Sequence, residues 1–363
     1  MRFRIVLVII AWSIVIVQAQ DRVMMLVGTF TDGNSKGIYS CRFDQQTGES
    51  DILDSLTMAH PTYLTFSPDR RLVYAATHEE NALLHTVSMN HRNGDLRLLS
   101  STPVMGSDPC YVATNGKIVV TANYSGGSMS VFKLSRQGVK ADLDVRFLGA
   151  TGGHDLSRQD SPHMHCACFT PDGKYILVTD FSADRIVSFC VKGQEVIANG
   201  IAAKISDDSG PRHITFSPNG RFAYVMSELS GKVTVFRYHD GRLETLQEIV
   251  SDSVGARGGA DIHISPDGKF LYSSNRLKAE GIAIFAVDSQ TGMLTRIGYQ
   301  PTGAHPRQFN ITPNGKFLLC CCRDSNKIQV FRRDKQTGML TDTHRDIPVS
   351  RAVCVQFLSG RNH

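Results

Sequence analysis

The sequence carries little excess charge and a single tryptophan, and both shortages exclude classes of partner. Lys and Arg exceed Asp and Glu by 39 − 34 = 5, and two of the surplus residues, Arg2 and Arg4, stand at the extreme N-terminus. A nucleic-acid-binding chain carries a clustered positive excess, so nucleic acid is not expected as a partner. The tryptophan, Trp12, also stands in the N-terminal segment, which leaves the rest of the chain without the aromatic anchor most favoured at binding surfaces.

Motifs for metal, covalent and redox chemistry are absent from the sequence as well. No Cys/His spacing matches a zinc site, and no Gly-x-Ser-x-Gly segment marks an activated serine. No motif for a redox cofactor stands out. We therefore expect neither a metal ion nor another cofactor, and no serine nucleophile.

The N-terminal segment is typical of a secretory signal. Arg2 and Arg4 supply a charged n-region, Ile5 to Val17 an apolar h-region, and Val17-Gln18-Ala19 a small-residue cleavage context. We expect residues 1–20 to be removed and the product to be exported, either to a periplasm or out of the cell. An uncleaved membrane anchor is the alternative, but the apolar run is short for a span and no stop-transfer flank follows it. No later apolar run is long enough to span, so no membrane association is expected after cleavage.

One phrase recurs along the chain at a nearly constant spacing. It consists of a proline, a short apolar run, Ser/Thr-Pro-Asp/Asn-Gly, a basic residue and a second apolar run, as in Pro211-Arg-His-Ile-Thr-Phe-Ser-Pro-Asn-Gly220. Complete or degenerate copies begin at 61, 109, 162, 211, 260, 306 and 350, with intervals of 48, 53, 49, 49, 46 and 44 residues. A repeat of this length is the period of a four-stranded propeller blade.

Each copy predicts four antiparallel strands joined by tight turns, because Pro and Gly supply turn dihedrals and β-branched and aromatic residues fill the runs between them. The last copy, from Ser350, holds only a first strand. Its three missing strands are predicted at the other end of the chain, at Val23–Phe30, Lys36–Phe43 and Ser50–Thr57. Pairing of the two chain ends completes a blade and removes the open sheet edge. The sequence therefore predicts an all-β fold, a seven-bladed β-propeller forming one domain over residues 21–363.

Nine cysteines are spread over the repeats, an odd number that leaves at least one unpaired. Neighbouring strand residues point to opposite faces, so Cys320, Cys321 and Cys322 do not form one cluster. Most of the cysteines are expected to be small buried strand residues. One or two disulfides between blades stay open.

Two positions of the repeat vary in polar type, and we expect both at one mouth of the central funnel. The first follows the opening proline and holds Thr62, Cys110, His163, Arg212, Asp261, Arg307 and Arg351. The second ends the second strand and holds His78, Tyr124, Phe181, Glu228, Arg276 and Arg323. Because the two strands run antiparallel, the start of one lies beside the end of the other. His165 stands two residues past His163 and is expected to point the same way.

Charged side chains at buried strand ends need either partners or a ligand. Several arginines around a pocket hold a carboxylate or phosphate, and a His or Glu among them takes a proton from water or carbon. An arginine also stabilises the oxyanion formed by attack on a lactone. The set suits water attack on an anionic lactone, or lactone formation from an unsaturated acid. The structural alternatives are a histidine satisfied within the scaffold, as expected for His263, and ion pairs between blades, with Glu228 as an arginine's partner.

Several of these segments resemble a known family. The segments are Ser161-Pro-His-Met-His165, Gly210-Pro-Arg-His213, Tyr224-Val-Met-Ser-Glu-Leu229, Ser265-Pro-Asp-Gly-Lys-Phe-Leu-Tyr-Ser-Ser-Asn-Arg276 and His305-Pro-Arg-Gln-Phe309. They are similar to the signatures of lactonase seven-bladed propellers, the cycloisomerase-2-type 6-phosphogluconolactonases, which also include fungal carboxy-cis,cis-muconate cyclases. The resemblance covers essentially the whole chain after the leader. It implies hydrolysis of a lactone ring, with 6-phosphogluconolactone as the substrate of the bacterial members.

The resemblance also implies a catalytic set, because a histidine, two arginines and a glutamate are proposed to act in the muconate cyclases. By motif these residues correspond to His163 or His165, Arg212, Glu228 and Arg276. We expect Glu228 or His165 to act as general base, with the two arginines on the oxyanion or carboxylate. Substrate-binding residues are predicted to be Arg307, on a distal anionic group, and Arg323, His78 and Tyr124.

Two features depart from the family pattern. Leu318-Leu-Cys-Cys-Cys322 stands where the family usually carries an apolar pair and Ala-Asn, and a leader is unexpected for an enzyme of cytoplasmic sugar phosphates. We therefore expect a small anionic sugar lactone or sugar acid as the partner of a monomeric protein, with phosphorylation left open. Two other functions stay open: a cyclase or lyase acting on an unsaturated or oxidised sugar acid, and a non-enzymatic binding module.

Overall fold

The computed structural model describes residues 21–147 and 155–358, so the predicted signal peptide lies outside the described residues. Within these ranges no helix has the length and apolar character needed to cross a membrane. The described strands form seven sheets of four antiparallel strands each, which confirms the predicted seven-bladed propeller.

The blades follow one another along the chain, and the closing blade is shared by the two ends. Its first three strands in the chain are β1 (Arg22–Thr29), β2 (Gly37–Asp44) and β3 (Ser50–Thr57). Blade 1 comprises β4 (Pro61–Phe66), β5 (Leu72–Thr77), β6 (Leu83–Met89) and β7 (Leu96–Pro103). Blade 2 comprises β8 (Pro109–Thr114), β9 (Ile118–Asn123), β10 (Ser128–Ser135) and β11 (Gly138–Arg146). Blade 3 comprises β12 (Met164–Phe169), β13 (Tyr175–Asp180), β14 (Arg185–Lys192) and β15 (Glu195–Lys204).

The second half of the chain repeats the same order. Blade 4 comprises β16 (Pro211–Phe216), β17 (Phe222–Ser227), β18 (Lys232–His239) and β19 (Arg242–Val250). Blade 5 comprises β20 (Gly259–Ile264), β21 (Phe270–Asn275), β22 (Gly281–Val287) and β23 (Leu294–Pro301). Blade 6 comprises β24 (Pro306–Ile311), β25 (Phe317–Cys322), β26 (Lys327–Arg333) and the short β27 (Leu340–Asp342), with one 3-10 turn at Arg323–Ser325. The last strand, β28 (Ala352–Phe357), returns to the closing blade.

Pairing between β28 and β1 closes the ring, with Val27 opposite Val355. The first strands of neighbouring blades contact one another around the full circle and surround the central funnel. The predicted N-terminal strands are confirmed, although β1 and β2 each begin and end one residue away from the expected bounds.

The recurring Ser/Thr-Pro-Asp/Asn-Gly segment owes its composition to a network of hydrogen bonds in the turn. In blade 4 the hydroxyl of Ser217 donates to Oδ1 of Asn219 (2.7 Å) and accepts the amide of Phe222 (3.0 Å). Gly220 closes the turn with φ of +69°, a left-handed conformation that costs glycine little.

The apolar core lies between blades rather than inside one of them. Strand β17 is buried along its whole length, whereas β19 at the rim is largely exposed. Tyr224 of blade 4, for example, packs in one cluster with Leu271 and Phe285 of blade 5. Faces buried on both sides explain why the inner strands are apolar without strict alternation.

All nine cysteines lie in the described residues and all nine thiols are unpaired. Cys320 and Cys322 share one face, with their Sγ atoms 3.9 Å apart. Cys321 belongs to the opposite apolar cluster. The alternation expected for these three residues is confirmed, and no disulfide links the blades in the structure.

Candidate active site

A β-bulge opens the innermost strand of the blades and aims one side chain at the funnel. In blade 4, Pro211 pairs with Ser227 and His213 with Met226, so Arg212 has no partner across the ladder. A bulge redirects the extra side chain. The residues left out of the ladders are Thr62, Cys110, His165, Arg212, Ala260 with Asp261, Arg307 and Val353. A pocket on the funnel axis is lined by Thr62, Tyr63, Cys110, Arg212, His213, Arg307, Gln308 and Val353.

A repeated backbone hydrogen bond fixes the second polar position at the same mouth. In blade 4 the amide of Glu228, just after β17, donates to the carbonyl oxygen of Gly210, just before β16 (2.8 Å). Equivalent donors occur in all seven blades: Phe30, His78, Tyr124, Phe181, Glu228, Arg276 and Arg323. The predicted juxtaposition of the two strand ends is confirmed, and Phe30 supplies the seventh member.

Alignment of the repeats on the opening proline is wrong in three blades. The bulged residue stands six positions before the turn proline, as Arg212 does before Pro218 and His165 before Pro171. His163 aligns instead with Gly210, because its carbonyl oxygen accepts the amide of the residue after the second strand. The bulge position is therefore held by His165 rather than His163, by Ala260 rather than Asp261, and by Val353 rather than Arg351.

Glu228 lies among three arginines and binds all of them. Its Oε2 accepts a hydrogen bond from Nε of Arg212 (3.2 Å) and lies 2.9 Å from Nη2 of Arg276. Its Oε1 accepts a hydrogen bond from Nη2 of Arg158 (2.7 Å). Burial on its own would raise the pKa of Glu228, but Arg276, Arg212 and Arg158 outweigh it and lower that pKa to about 2. A carboxylate held in this way is a weak base and a firm anchor for the arginines.

The guanidinium of Arg212 is held by the protein through two of its three nitrogen atoms. Nε is bound to Glu228 and Nη1 donates to the carbonyl oxygen of Ala260 (2.8 Å), while the imidazole of His213 lies 3.2 Å from Nη1. Among residues 21–147 and 155–358, Nη2 has no hydrogen-bond partner. Its two N–H groups are therefore fixed in direction and left for a ligand oxygen.

Arg158, which the sequence analysis missed, comes from the connection between blades 2 and 3. Besides Glu228 it binds the hydroxyl of Tyr124 (3.3 Å), and its guanidinium lies over the ring of Phe181, 5.3 Å from the centroid. The connection is held in place by Asp155, which forms an ion pair with Arg257 (2.7 Å). The only signal in the sequence was the 53-residue interval, the longest between copies.

The two predicted histidines differ in exposure and in their hydrogen bonds. Nδ1 of His163 lies 2.8 Å from the carbonyl oxygen of Tyr124. A carbonyl only accepts, so in the neutral ring Nδ1 carries the proton and Nε2 the lone pair. The ring stacks on Tyr124 at 4.2 Å and 4° and remains partly exposed. His165 is buried, and burial together with Arg212 and His213 lowers its pKa well below the usual range.

A buried histidine–aspartate pair lies deeper in the funnel. Nδ1 of His213 is 2.6 Å from Oδ1 of Asp261, whose Oδ2 is 2.9 Å from Nε2 of His263. Burial and Arg212 lower the pKa of His213 to about 4, although Asp261 opposes them. His263 is thus satisfied within the scaffold, as expected. The pair itself was missed, although both members stand five positions before a turn proline in adjacent blades.

The opposite side of the funnel carries Arg307, held differently from the other arginines. Its guanidinium lies over Phe30, 5.5 Å from the ring centroid, and in the described part of the chain it makes no hydrogen bond or ion pair. Burial, Arg212 and Arg276 lower the pKa of Arg307 to about 9. His78 also contacts Phe30, edge to face at 5.4 Å, and burial and Arg307 lower its pKa to about 4.

The predicted residues thus fall into one contact network and one group around Phe30. Glu228 joins Arg212 and Arg276 directly, and His163 and His165 reach them through Tyr124 and Arg158. Arg323 belongs to the Phe30 group (6.0 Å), but its charge is bound bidentately by Asp324 at 2.8 and 2.9 Å. Across the described ranges, no group of three or more His, Cys, Asp or Glu residues could hold a metal ion.

Comparison with known proteins assigns the chain to a family of propellers. The family model of lactonases with a seven-bladed β-propeller matches residues 24–357. The chain therefore belongs to that family, as its motifs indicated.

Individual relatives are similar to this chain over almost its whole length. A 6-phosphogluconolactonase of Formosa agariphila is 33% identical over 350 residues, which is 92% of this chain and 99% of the relative. A solved structure of a candidate 6-phosphogluconolactonase from Bacteroides uniformis is 55% identical, covers 93% of this chain and 100% of its own, and has a TM-score of 0.91. A periplasmic gluconolactonase of Pseudomonas aeruginosa is 29% identical, covers 93% and 99% of the two chains, and has a TM-score of 0.87.

Proposed function

We propose that this protein hydrolyses a sugar lactone, the chemistry for which its 6-phosphogluconolactonase and gluconolactonase relatives are named. The observation that carries the proposal is a fixed donor and a fixed acceptor at one funnel mouth. The donor is Nη2 of Arg212, oriented by Glu228 and the Ala260 carbonyl. The acceptor is Nε2 of His163, whose lone pair is set by the bond from Nδ1 to Tyr124.

In the proposed reaction, a water molecule attacks the lactone carbonyl carbon while Nε2 of His163 takes one of its protons. The carbonyl oxygen gains negative charge, which the N–H groups on Nη2 of Arg212 stabilise because they are already oriented toward it. The bond between the carbonyl carbon and the ring oxygen then breaks. The imidazolium of His163 returns the proton to that oxygen, and the product is an open hydroxy acid.

The sequence analysis expected Glu228 or His165 as the general base, but the contacts favour His163. Both carboxylate oxygens of Glu228 are bound to arginines, and the pKa of about 2 makes it a poor proton acceptor near neutral pH. His165 is buried beside Arg212, which disfavours its protonated form. We therefore assign Glu228 and Arg276 as positioning residues that hold the guanidinium of Arg212 in place.

Acid release from a panel of lactones tests the proposal. The panel is 6-phosphogluconolactone, gluconolactone and galactonolactone, followed in a pH-stat at slightly acidic pH with the spontaneous rate subtracted. His163→Gln is expected to lower kcat/KM roughly 100- to 10,000-fold, and Arg212→Lys roughly 100-fold or more. His239→Gln, at a side chain 84% exposed on an outer strand, is the matched control and keeps full activity.

Two results would contradict the proposed function or its assignments. A wild-type protein that hydrolyses no lactone of the panel rejects lactone hydrolysis by this site. Full activity of His163→Gln with loss of activity in His165→Gln would move the base to His165.

We also propose that the protein is exported, on the strength of the leader-like segment and of a relative named as periplasmic. Mass spectrometry of the purified protein should then find an N-terminus at Asp21. An intact N-terminus in the cytoplasmic fraction would contradict export. The monomeric state stays a prediction, which light scattering tests.

A further inference from the structure

Three polar groups on the Phe30 side of the funnel lack partners within the described residues. Arg307 makes no hydrogen bond or ion pair there, and the buried atoms Oγ1 of Thr62 and Nδ1 of His78 have no hydrogen-bond partner. Thr62 is only 5% exposed. Buried polar atoms are almost always satisfied, so two buried unsatisfied atoms beside a half-buried arginine without a partner indicate a ligand.

Two of the three groups line a common pocket, and His78 is linked to them through its blade and through Phe30. Thr62 and Arg307 are both bulged residues and line the same axial pocket. His78 follows the second strand of the blade to which Thr62 belongs. The ring of Phe30 contacts both His78 and Arg307.

The charge of this space favours an anion. Arg307 is neighboured by Arg212 and Arg276, whose effect on its pKa shows like charges crowded together. Glu228 already binds Arg158, Arg212 and Arg276, and Asp261 is bound to two histidines. No described carboxylate forms an ion pair with Arg307, and Glu228 offsets its charge only from a distance. An anionic group that enters the funnel would supply the direct partner.

We propose that Arg307, Thr62 and His78 form an oxyanion subsite for a charged group carried by the ligand, a phosphomonoester or a carboxylate. Arg307 presents a planar fork of N–H donors that suits either group, and Thr62 and His78 each add one donor. The subsite shares the axial pocket with Arg212 but contains none of the arginines bound to Glu228. It deepens the proposed function, because it assigns the distal anion of the lactone to one side of the funnel.

Binding of a simple anion tests the subsite without any turnover. Inorganic phosphate and, separately, acetate are titrated into the whole protein by calorimetry at pH 7 and low ionic strength. At least one anion should bind the wild type. Arg307→Ala should weaken that binding roughly tenfold or more, since hydrogen bonds to charged groups are among the strongest. Arg296→Ala is the matched control, because Arg296 also rests on an aromatic ring, that of Tyr299 at 5.5 Å, but on an outer strand; it should leave the affinity unchanged.

A second variant keeps the test decisive if Arg307→Ala folds poorly. Thr62→Val preserves the shape of the side chain and removes only the hydroxyl, and it should weaken anion binding several-fold with a circular dichroism spectrum like that of the wild type. The stronger of the two anions identifies the group. The proposal is overturned if neither anion binds the wild type, if both Arg307→Ala and Thr62→Val bind normally, or if Arg296→Ala loses as much affinity as Arg307→Ala.

Kinetics then separate the subsite from lactone hydrolysis itself. With a phosphorylated lactone, Arg307→Ala should raise KM at least tenfold and change kcat little, whereas with an uncharged lactone the rise in KM should be several-fold smaller. A protein that binds phosphate but opens no lactone would contradict the proposed function alone. A protein that opens lactones but binds neither anion would contradict the subsite alone.

Discussion

Replacement of Glu228 by glutamine is expected to destabilise the protein by about 3 kcal/mol at pH 7. The substitution keeps the shape of the side chain but removes the one carboxylate of the described residues that is bound to Arg158, Arg212 and Arg276. Breaking a buried ion pair by removing one partner costs about 3–5 kcal/mol. The fall of the Glu228 pKa from 4.5 to about 2 leads to a similar figure, about 3 kcal/mol.

The lowered pKa of Glu228 also determines how the stability difference between the wild type and Glu228→Gln depends on pH. The pKa of Glu228 is lower in the folded protein than in the unfolded chain, so its stabilisation is complete above about pH 5 and is lost as the pH falls from 4.5 toward 2. Glutamine resembles the protonated acid. The gap in unfolding free energy between the wild type and Glu228→Gln should therefore narrow from about 3 kcal/mol at pH 7 to little at about pH 2.

Urea titrations at several pH values measure this gap, because urea is uncharged and leaves ion pairs unscreened. Far-ultraviolet circular dichroism is the suitable signal, since the only tryptophan, Trp12, stands in the predicted leader. Glu244→Gln is the control. The ion pair of Glu244 with Arg237 is about as short (2.8 Å), but both side chains are more than half exposed. The loss of unfolding free energy is therefore expected to be about 1 kcal/mol or less. A gap below 1 kcal/mol at pH 7, or one that stays constant down to pH 3, would refute the reasoning.

The remaining predictions concern the other parts of the site and the cysteines. Arg158→Ala should lower kcat/KM about tenfold but reduce stability by less than about 1 kcal/mol, because its side chain is 37% exposed; a loss as large as that of Arg212→Lys would place Arg158 on the reacting atoms. Asp261→Asn should lower the urea midpoint by an amount equivalent to about 3 kcal/mol, since it leaves His213 without its carboxylate; an unchanged midpoint contradicts this. Thiol titration should find nine reactive groups after denaturation and only Cys190 readily reactive in the native protein, as the other thiols are buried; a lower total would reveal a disulfide.

The fold was predictable because its physical causes are local and repeated seven times. The turns of blades 3 to 6 carry a hydroxyl, a proline and a glycine in fixed order, as Ser217, Pro218 and Gly220 show. A closed ring also needs complementary chain ends, and both were visible in the sequence. The period of the repeats did not determine which residues pair across neighbouring strands, because a strand shifted by one residue has almost the same composition.

The convergence of most candidate residues on one mouth of the funnel was predictable, but their arrangement there was less so. The opening proline is an unreliable marker because the bulge lies between it and the strand. For that reason His163 was assigned to the bulge position that His165 occupies. The turn proline lies on the far side of the strand, where the register is regular, and counting back from it gives the correct position for His165 and Ala260. Arg158 could not be placed at all, since its contact with Glu228 joins a connection to a strand end 70 residues away.

The distribution of charge in the funnel links the two proposals. Arg158, Arg212 and Arg276 share one carboxylate, that of Glu228, and are held rigidly by it. Arg307 shares none. A rigid cluster with one free pair of N–H groups suits a charge that exists only while the lactone carbonyl is under attack. An uncompensated arginine suits a charge that the ligand carries permanently. If this division is correct, substitutions at Arg212 act on kcat and those at Arg307 on KM, and a single protein can lose either property while it keeps the other.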